Sequence, residues 1–222
     1  MVFQNLERTS MDIGIIGAGN IGATAARLFA RAGHQVAIGN SRGPQTLSGL
    51  VDEIGPNARA TTVEDAASFG EVVLLAIPWS KREDGLPRPE MLEGKIVIDA
   101  LNPYTPDFEL EDLGDDTSSE DVARRLPGAR IVKALNTMYY ETLRSEGRPS
   151  APMEERIALF VAGDDPEAKS IVSRLIEEIG FAPVDTGSLG DGGRKQQPGS
   201  SVYNVPMAAG PAAREAGIEE DE

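Results

Sequence analysis

Residues 13–22, IGIIGAGNIG, decide the fold. Asp12 to Ile16 is a short apolar run of strand length, and it leads directly into Gly17-Ala18-Gly19-Asn20-Ile21-Gly22 and a helical pattern reaching about Arg31. A Gly-x-Gly-x-x-Gly spacing alone is a weak signal. Between a strand and a helix it is the phosphate turn of a dinucleotide fold. Gly17 then permits the tight turn off the strand, Gly19 lets backbone approach a pyrophosphate, and Gly22 lets the helix pack closely on the strand. The free N–H groups and dipole at the helix start favour an anion.

Working outward, Gly33 ends the first helix, Gln35 to Ile38 reads as the second strand, and Pro44 to Ile54 as the next helix. Further strands are expected at Ala58–Thr61, Val72–Ile77, Ile96–Ala100, Ile131–Leu135, Ile157–Val161 and Pro183–Asp185. Helical patterns fall at Val63–Ser68, Ser118–Arg125 and Pro166–Ile179, the last with Ala168, Ile171, Val172, Leu175, Ile176 and Ile179 at helical spacing. This alternation predicts an α/β protein, a Rossmann doubly wound and mostly parallel sheet with a small C-terminal α/β appendage. Two segments exceed ordinary connection lengths: the acidic stretch Tyr104–Thr117, and Gly187–Asn204, rich in Gly, Ser, Gln and Pro and expected to close over a ligand.

At the end of the second strand, where an NAD-binding chain presents a carboxylate to the ribose, this chain has Gly39-Asn40-Ser41-Arg42. With no acid there to repel a 2′-phosphate, and with the forked donor of Arg42 and the hydroxyl of Ser41 beside it, NADP(H) is the expected cofactor.

Composition excludes other classes. A net charge of −15 over 222 residues opposes the counterion-release binding that nucleic acid requires. No apolar stretch approaches the ~20 residues that cross a bilayer, so no membrane partner is expected. The opening MVFQNLERTS lacks the pattern of a secretory signal and there are no cysteines, which makes the cytoplasm the expected compartment. No metal-ligand cluster is visible in the sequence. The expected organisation is a flexible extension over 1–10, the NADP-binding domain over 11–130, a small region over 131–205 carrying the acceptor site and the contact of a homodimer, and an acidic tail over 206–222.

The chain resembles the F420-dependent NADP oxidoreductase family, enzymes that pass a hydride between NADP and the deazaflavin coenzyme F420, and is similar to the oxidoreductase domain of STEAP-type metalloreductases. The stretches that carry the resemblance are IGIIGAGNIG (13–22), Ser41-Arg42, AIPW (76–79), ALNTM (134–138) and VAGDDPEAKSIVSRLIEEIGFAPVDTGSL (161–189). The resemblance implies that Ala18, Gly19, Asn20 and Ile21 line the pyrophosphate and that Ser41 and Arg42 hold the 2′-phosphate. It also implies that Ile77, Pro78, Asn136, Thr137 and Met138 surround the nicotinamide, with Trp79 bordering the cleft. Archaeal members that use F420 carry a histidine where this chain has Asn136.

Hydride transfer asks little of catalytic side chains, because the cofactor donates and a flavin-like ring accepts. Pro78-Trp79 and Asn102-Pro103-Tyr104 follow the fourth and fifth strands at their carboxyl ends, so Trp79, Tyr104 and Asn136 are the acceptor-pocket candidates, and Asn102 joins the cofactor contacts. The acceptor expected is a small molecule, F420 or a flavin. The one histidine, His34, lies at the opposite strand ends and reads as structural, while Asp164 and Asp165 read as caps of the following helix. Two alternatives stay open: a non-enzymatic NADP-binding sensor, and a reductase of another small acceptor such as an imine or ferric chelate.

Overall fold

The computed structural model describes residues 10–218. The sheet and its covering helices run in the order β1 (Asp12–Ile16), α1 (Asn20–Ala32), β2 (Gln35–Gly39), α2 (Ser48–Ile54), β3 (Ala58–Thr61), α3 (Val63–Phe69), β4 (Val72–Leu75) and β5 (Ile96–Asp99). There follow α4 (Ser118–Arg125), β6 (Arg130–Lys133), α5 (Tyr140–Ser145), β7 (Ala158–Gly163), α6 (Pro166–Glu178), β8 (Ala182–Gly187), α7 (Asp191–Lys195) and α8 (Ala209–Glu215). All eight strands form one sheet in the order β3-β2-β1-β4-β5-β6-β7-β8. Every neighbouring pair is parallel except β6 and β7, where Val132 faces Gly163 and Lys133 faces Ala162 in antiparallel register.

The strands are apolar on both faces because both faces are covered. Every residue of β4, β5 and β7 is buried. Alternation sends Ile13, Ile15, Val72, Leu74, Ile96 and Ile98 to one core and Ile16, Val73, Leu75, Val97 and Ile131 to the other. Helix α1 lays Ala25, Ala26 and Phe29 on the first core, and α3 lays Ala66 and Ala67 on the second. Phe29 is fully enclosed, so its truncation to alanine should cost about 3–5 kcal/mol. The chain winds from β1 outward to β3 and then crosses back to β4, which opens a crevice at the carboxyl ends of β1 and β4, the place where such sheets bind ligands.

Several sequence expectations are corrected. The boundary placed at residue 130 cuts β6, which pairs with β5, so the sheet continues unbroken into the C-terminal region. The acidic tail does not begin at 206: α8 folds back, burying Ala212 and Ala216 against Ala158, Phe160, Val184 and Val202. An alanine stripe is a faint apolar signal beside the acidic residues that follow it. The Gly187–Asn204 segment is not an open loop, since it contains α7 and buries Gln196 and Val202 completely or nearly so. Pro44–Leu47 winds as a 3-10 turn before α2, and α5 was not anticipated. The 1–9 part of the N-terminal extension and the last acids, Glu219 to Glu222, lie outside the described residues. Among the described residues no helix is long and apolar enough to cross a membrane.

His34 is structural, as its position suggests. Its Nδ1 accepts the Met11 N–H at 3.2 Å and its Nε2 lies 2.8 Å from Glu178, tying the start of β2 to the end of α6.

Candidate functional site

The turn after β1 is shaped by three glycines with different duties. Gly17 has φ +102°, and a Cβ there would stand 2.4 Å from the Ala76 carbonyl oxygen. A Cβ on Gly22 would lie 1.9 Å from the Gly17 oxygen, so α1 packs against its own strand only because that atom is missing. A Cβ on Gly19 would meet nothing within 4 Å, which leaves bare backbone facing open space. Gly19 is also the N-cap of α1, where no side chain caps the helix and no acid stands in its first turn. The backbone donors of that turn are left for an anion.

They open onto a cleft of about 1090 Å³, just above the ~300–1,000 Å³ usual for ligand sites. Gly17, Ala18, Gly19, Asn20 and Ile21 line its floor. Ser41 and Arg42 line it at the end of β2, joined by Asn40 and Gly43. There the Asn40 side-chain oxygen accepts the Arg42 N–H at 2.9 Å and its amide donates to Thr46 Oγ1 at 3.0 Å, a closed turn that fixes the loop. The Arg42 guanidinium is exposed and forms no hydrogen bond or ion pair with the described residues, so it is free to fork onto a phosphate. Ile77 and Pro78 form the wall after β4, with Ala76, Lys81 and Leu86, and Ala100 stands at the end of β5. Uncapped helix, bare Gly19 backbone and free guanidinium together fit a dinucleotide bearing a 2′-phosphate.

The remaining sequence candidates are not in this cleft. Trp79, expected as an acceptor wall, is 2% exposed within the second core. Its indole donates to Glu111 at 2.7 Å and the Arg82 guanidinium lies over its ring at 4.2 Å. Paired with a polar partner and covered by a cation, the ring satisfies its N–H internally. Asn136, Thr137 and Met138 are also buried. The Asn136 amide donates to the Gln196 carbonyl at 2.9 Å and to Asn102 at 3.2 Å, so the 187–204 segment seals this turn away from the cleft. Asn102 in turn donates to the Asn136 carbonyl at 2.9 Å and to the Tyr203 hydroxyl at 3.2 Å. Burial, together with the hydrogen bond that its hydroxyl donates to Tyr104, pushes the Tyr203 phenol well above its ordinary range. Tyr104 thus belongs to this inner polar cluster, in which the Asn136 Oδ1 and Thr137 Oγ1 atoms have no hydrogen-bond partner among the described residues.

Beneath the cluster, Lys133 and Asp99 form a buried pair at 3.2 Å. Asp99 also accepts the Leu101 N–H at 2.9 Å and Ser119 Oγ at 2.6 Å, and the Lys133 ammonium donates to the Leu101 carbonyl and to Ser118 Oγ. Burial lowers the Lys133 pKa against the opposing pull of Asp99. The pair grips Leu101 from both sides and thereby sets the start of the loop that follows β5.

That loop carries the residue that sequence reasoning missed. Phe108 is 85% exposed, lines the cleft, and has φ +62°, a conformation costing a bulky residue about 1–2 kcal/mol. No periodicity marks it, since residues 104–117 read only as a long acidic segment. Lys81, Thr62, Val63 and Glu64 were missed as well, being visible only once the ends of β3 and β4 are brought together.

A family model described as NADP oxidoreductase, coenzyme F420-dependent, matches residues 12–103. Metalloreductase STEAP3 of Rattus norvegicus is 30% identical over 177 residues, covering 80% of this chain and 34% of that protein. The chain thus spans about a third of the length of the curated relatives it matches. Among solved structures, a hypothetical protein, SMa0349 from Sinorhizobium meliloti, is 35% identical with a TM-score of 0.77, covering 89% of this chain and 95% of the other. A candidate F420-dependent NADP-reductase from Arthrobacter sp. FB24 is 27% identical with a TM-score of 0.75, covering 90% of this chain and all of the other.

Proposed function

We propose that this chain works as a coenzyme F420-dependent NADP oxidoreductase does, binding NADPH in the cleft and reducing a flavin-like or deazaflavin (F420) ring, a reading supported by the family model that matches residues 12–103 and by the STEAP3 and Arthrobacter relatives. The observation that carries the reading is the uncapped, acid-free start of α1 in the same cleft as the unpartnered Arg42 guanidinium. The N–H groups of the first turn of α1 hold the pyrophosphate, and Ser41 and Arg42 hold the 2′-phosphate. Ile77, Pro78 and Ala100 form an apolar wall that keeps water from the reacting faces. NADPH held there would supply a hydride, and reduction of an oxidised ring would draw one further proton from solvent. The protein's part is therefore binding and orientation rather than acid–base chemistry.

The test is the loss of NADPH absorbance in the presence of FMN, riboflavin or F420, with NADH in parallel. Turnover with NADPH and at least one of these rings, and much less with NADH, is the expected result. Burial of Asn136, Thr137 and Met138 favours a second reading, an NADP-binding sensor. Tight NADPH binding with no oxidation across an acceptor screen would decide for it. A cytoplasmic location and a homodimer complete the proposal, and fractionation and sedimentation test them.

A further inference from the structure

Phe108 is the one aromatic side chain among the described residues lining the cleft, and its presentation is costly in two ways. The ring is 85% exposed, and its backbone lies at φ +62°, where glycine or asparagine would be at ease. The loop does not present it by slackness. Thr105 donates to the Glu109 carbonyl at 2.8 Å, Phe108 donates to the Thr105 carbonyl at 3.0 Å, and Glu109 donates to Thr105 Oγ1 at 3.2 Å. Tyr104 and Leu110 bridge below this tip. At the base, the Glu111 carboxylate accepts from Trp79 at 2.7 Å and from Arg82 at 2.6 Å, anchoring the arm to the wall of the second core. A braced arm that holds a strained, water-facing aromatic ring over a ligand cleft has the form of a stacking platform.

We propose that Phe108 stacks on the planar ring of the hydride acceptor and selects flat, fused aromatic acceptors over small imines or ketones. The inference deepens the reading of the cleft as an NADPH-dependent reductase site and relocates the acceptor from the sealed Trp79 and Asn136 positions to the open end beside Pro78 and Ala100. Stacking rewards a large π-surface and offers little to a ligand without one, so the arm sets specificity by shape.

The experiment titrates riboflavin into the full chain saturated with NADP+, following quenching of flavin fluorescence, for the wild type, Phe108→Gly and Phe108→Tyr. Phe108→Gly should weaken riboflavin by about tenfold, and Phe108→Tyr should stay close to wild type. Because glycine accepts φ +62°, Phe108→Gly should melt at the wild-type temperature or higher, which separates lost stacking from lost folding. NADP+ affinity should hold in all three. Wild-type riboflavin affinity in Phe108→Gly would overturn the proposal, as would a loss of NADP+ rather than riboflavin binding. A shift in sedimentation with riboflavin affinity unchanged would instead assign Phe108 to a contact between two copies of the chain. Failure of a wild-type chain to bind riboflavin at all overturns this inference, even if NADPH oxidation by another acceptor leaves the reductase standing. Phe108-dependent binding without any NADPH oxidation overturns the reductase and leaves the platform.

Discussion

Helices α1 and α6 are each 13 residues long, each follows a buried strand, and each packs its apolar side into the same core. Their first turns are opposites. Helix α6 begins with Pro166, and Asp165 caps it by accepting the Ala168 N–H at 3.0 Å. Glu167 complements its dipole, and Arg130 locks both acids, at 2.9 Å to Asp165 and 2.7 Å to Glu167. Helix α1 has a glycine for a cap, no acid and no side-chain acceptor. A side-chain N-cap is typically worth about 1 kcal/mol, so α1 forgoes stability that α6 takes. One helix end is completed by its own chain, and the other is complementary to a phosphate brought from outside.

The largest expected effect comes from giving α1 the cap it lacks. Gly19 has extended backbone angles and open space where a Cβ would go, so Gly19→Asp should fold and place a carboxylate over the free N–H groups. It should melt at or slightly above the wild-type temperature, because aspartate at an N-cap exceeds glycine by only a few tenths of a kcal/mol. NADPH affinity should fall by ~100-fold or more, because the carboxylate occupies the anion site and repels the phosphates. Calorimetry beside a thermal melt checks both halves. A variant that binds NADPH as the wild type does would break the contrast between the two helices.

A smaller effect sharpens what the open end is for. Arg42→Ala removes a cation with no ion-pair partner among the described residues, so stability should not change. NADPH should weaken by about 10- to 100-fold, the worth of a charge-assisted phosphate contact, while NADH binding stays as it was. Equal losses for the two nucleotides would place Arg42 at the pyrophosphate rather than the 2′-phosphate.

The contrast also marks how far the sequence was legible. The strand, glycine turn and helix around residues 13–22, and the Asp165 cap, are local patterns with local causes, and both appear where the residues put them. Trp79 was not legible, because an aromatic after a strand suits a cleft wall or a core equally well. What decides is Glu111, which reaches the indole from 32 positions away. Asn136 was misplaced for a similar reason: the Gln196 carbonyl that seals it lies in a segment whose glycines and serines read as loop. Phe108 carried no pattern at all, since positive φ and exposure belong to the folded backbone. The turn of β7 against β6 was equally hidden, because the α5 connection between them does not announce an antiparallel return.

The smallest predicted effect lies at the sealed end and depends on pH. The Arg130 guanidinium, together with the Ala168 N–H, holds the Asp165 carboxyl well below the usual carboxylate range. A depressed pKa in the folded state means that this contribution is fully present above the unfolded value of about 3.9 and is lost as pH falls through the folded pKa. Asp165→Asn keeps an oxygen for the helix cap but abolishes both the charge and the titration. It should therefore melt below the wild type at neutral pH, and the gap should narrow as the pH is taken below about 4, where the carboxyl begins to protonate in the unfolded chain while the folded one stays charged. Thermal melts of both chains across the acid range measure that gap. Because Asp165 lies on β7–α6 rather than in the nucleotide cleft, NADPH affinity at neutral pH should be the same for both. A gap that stays constant through the acid range would show that the Arg130 pairing contributes nothing beyond the cap. A loss of NADPH affinity would show that the sealed and open helix ends are coupled through the core they share.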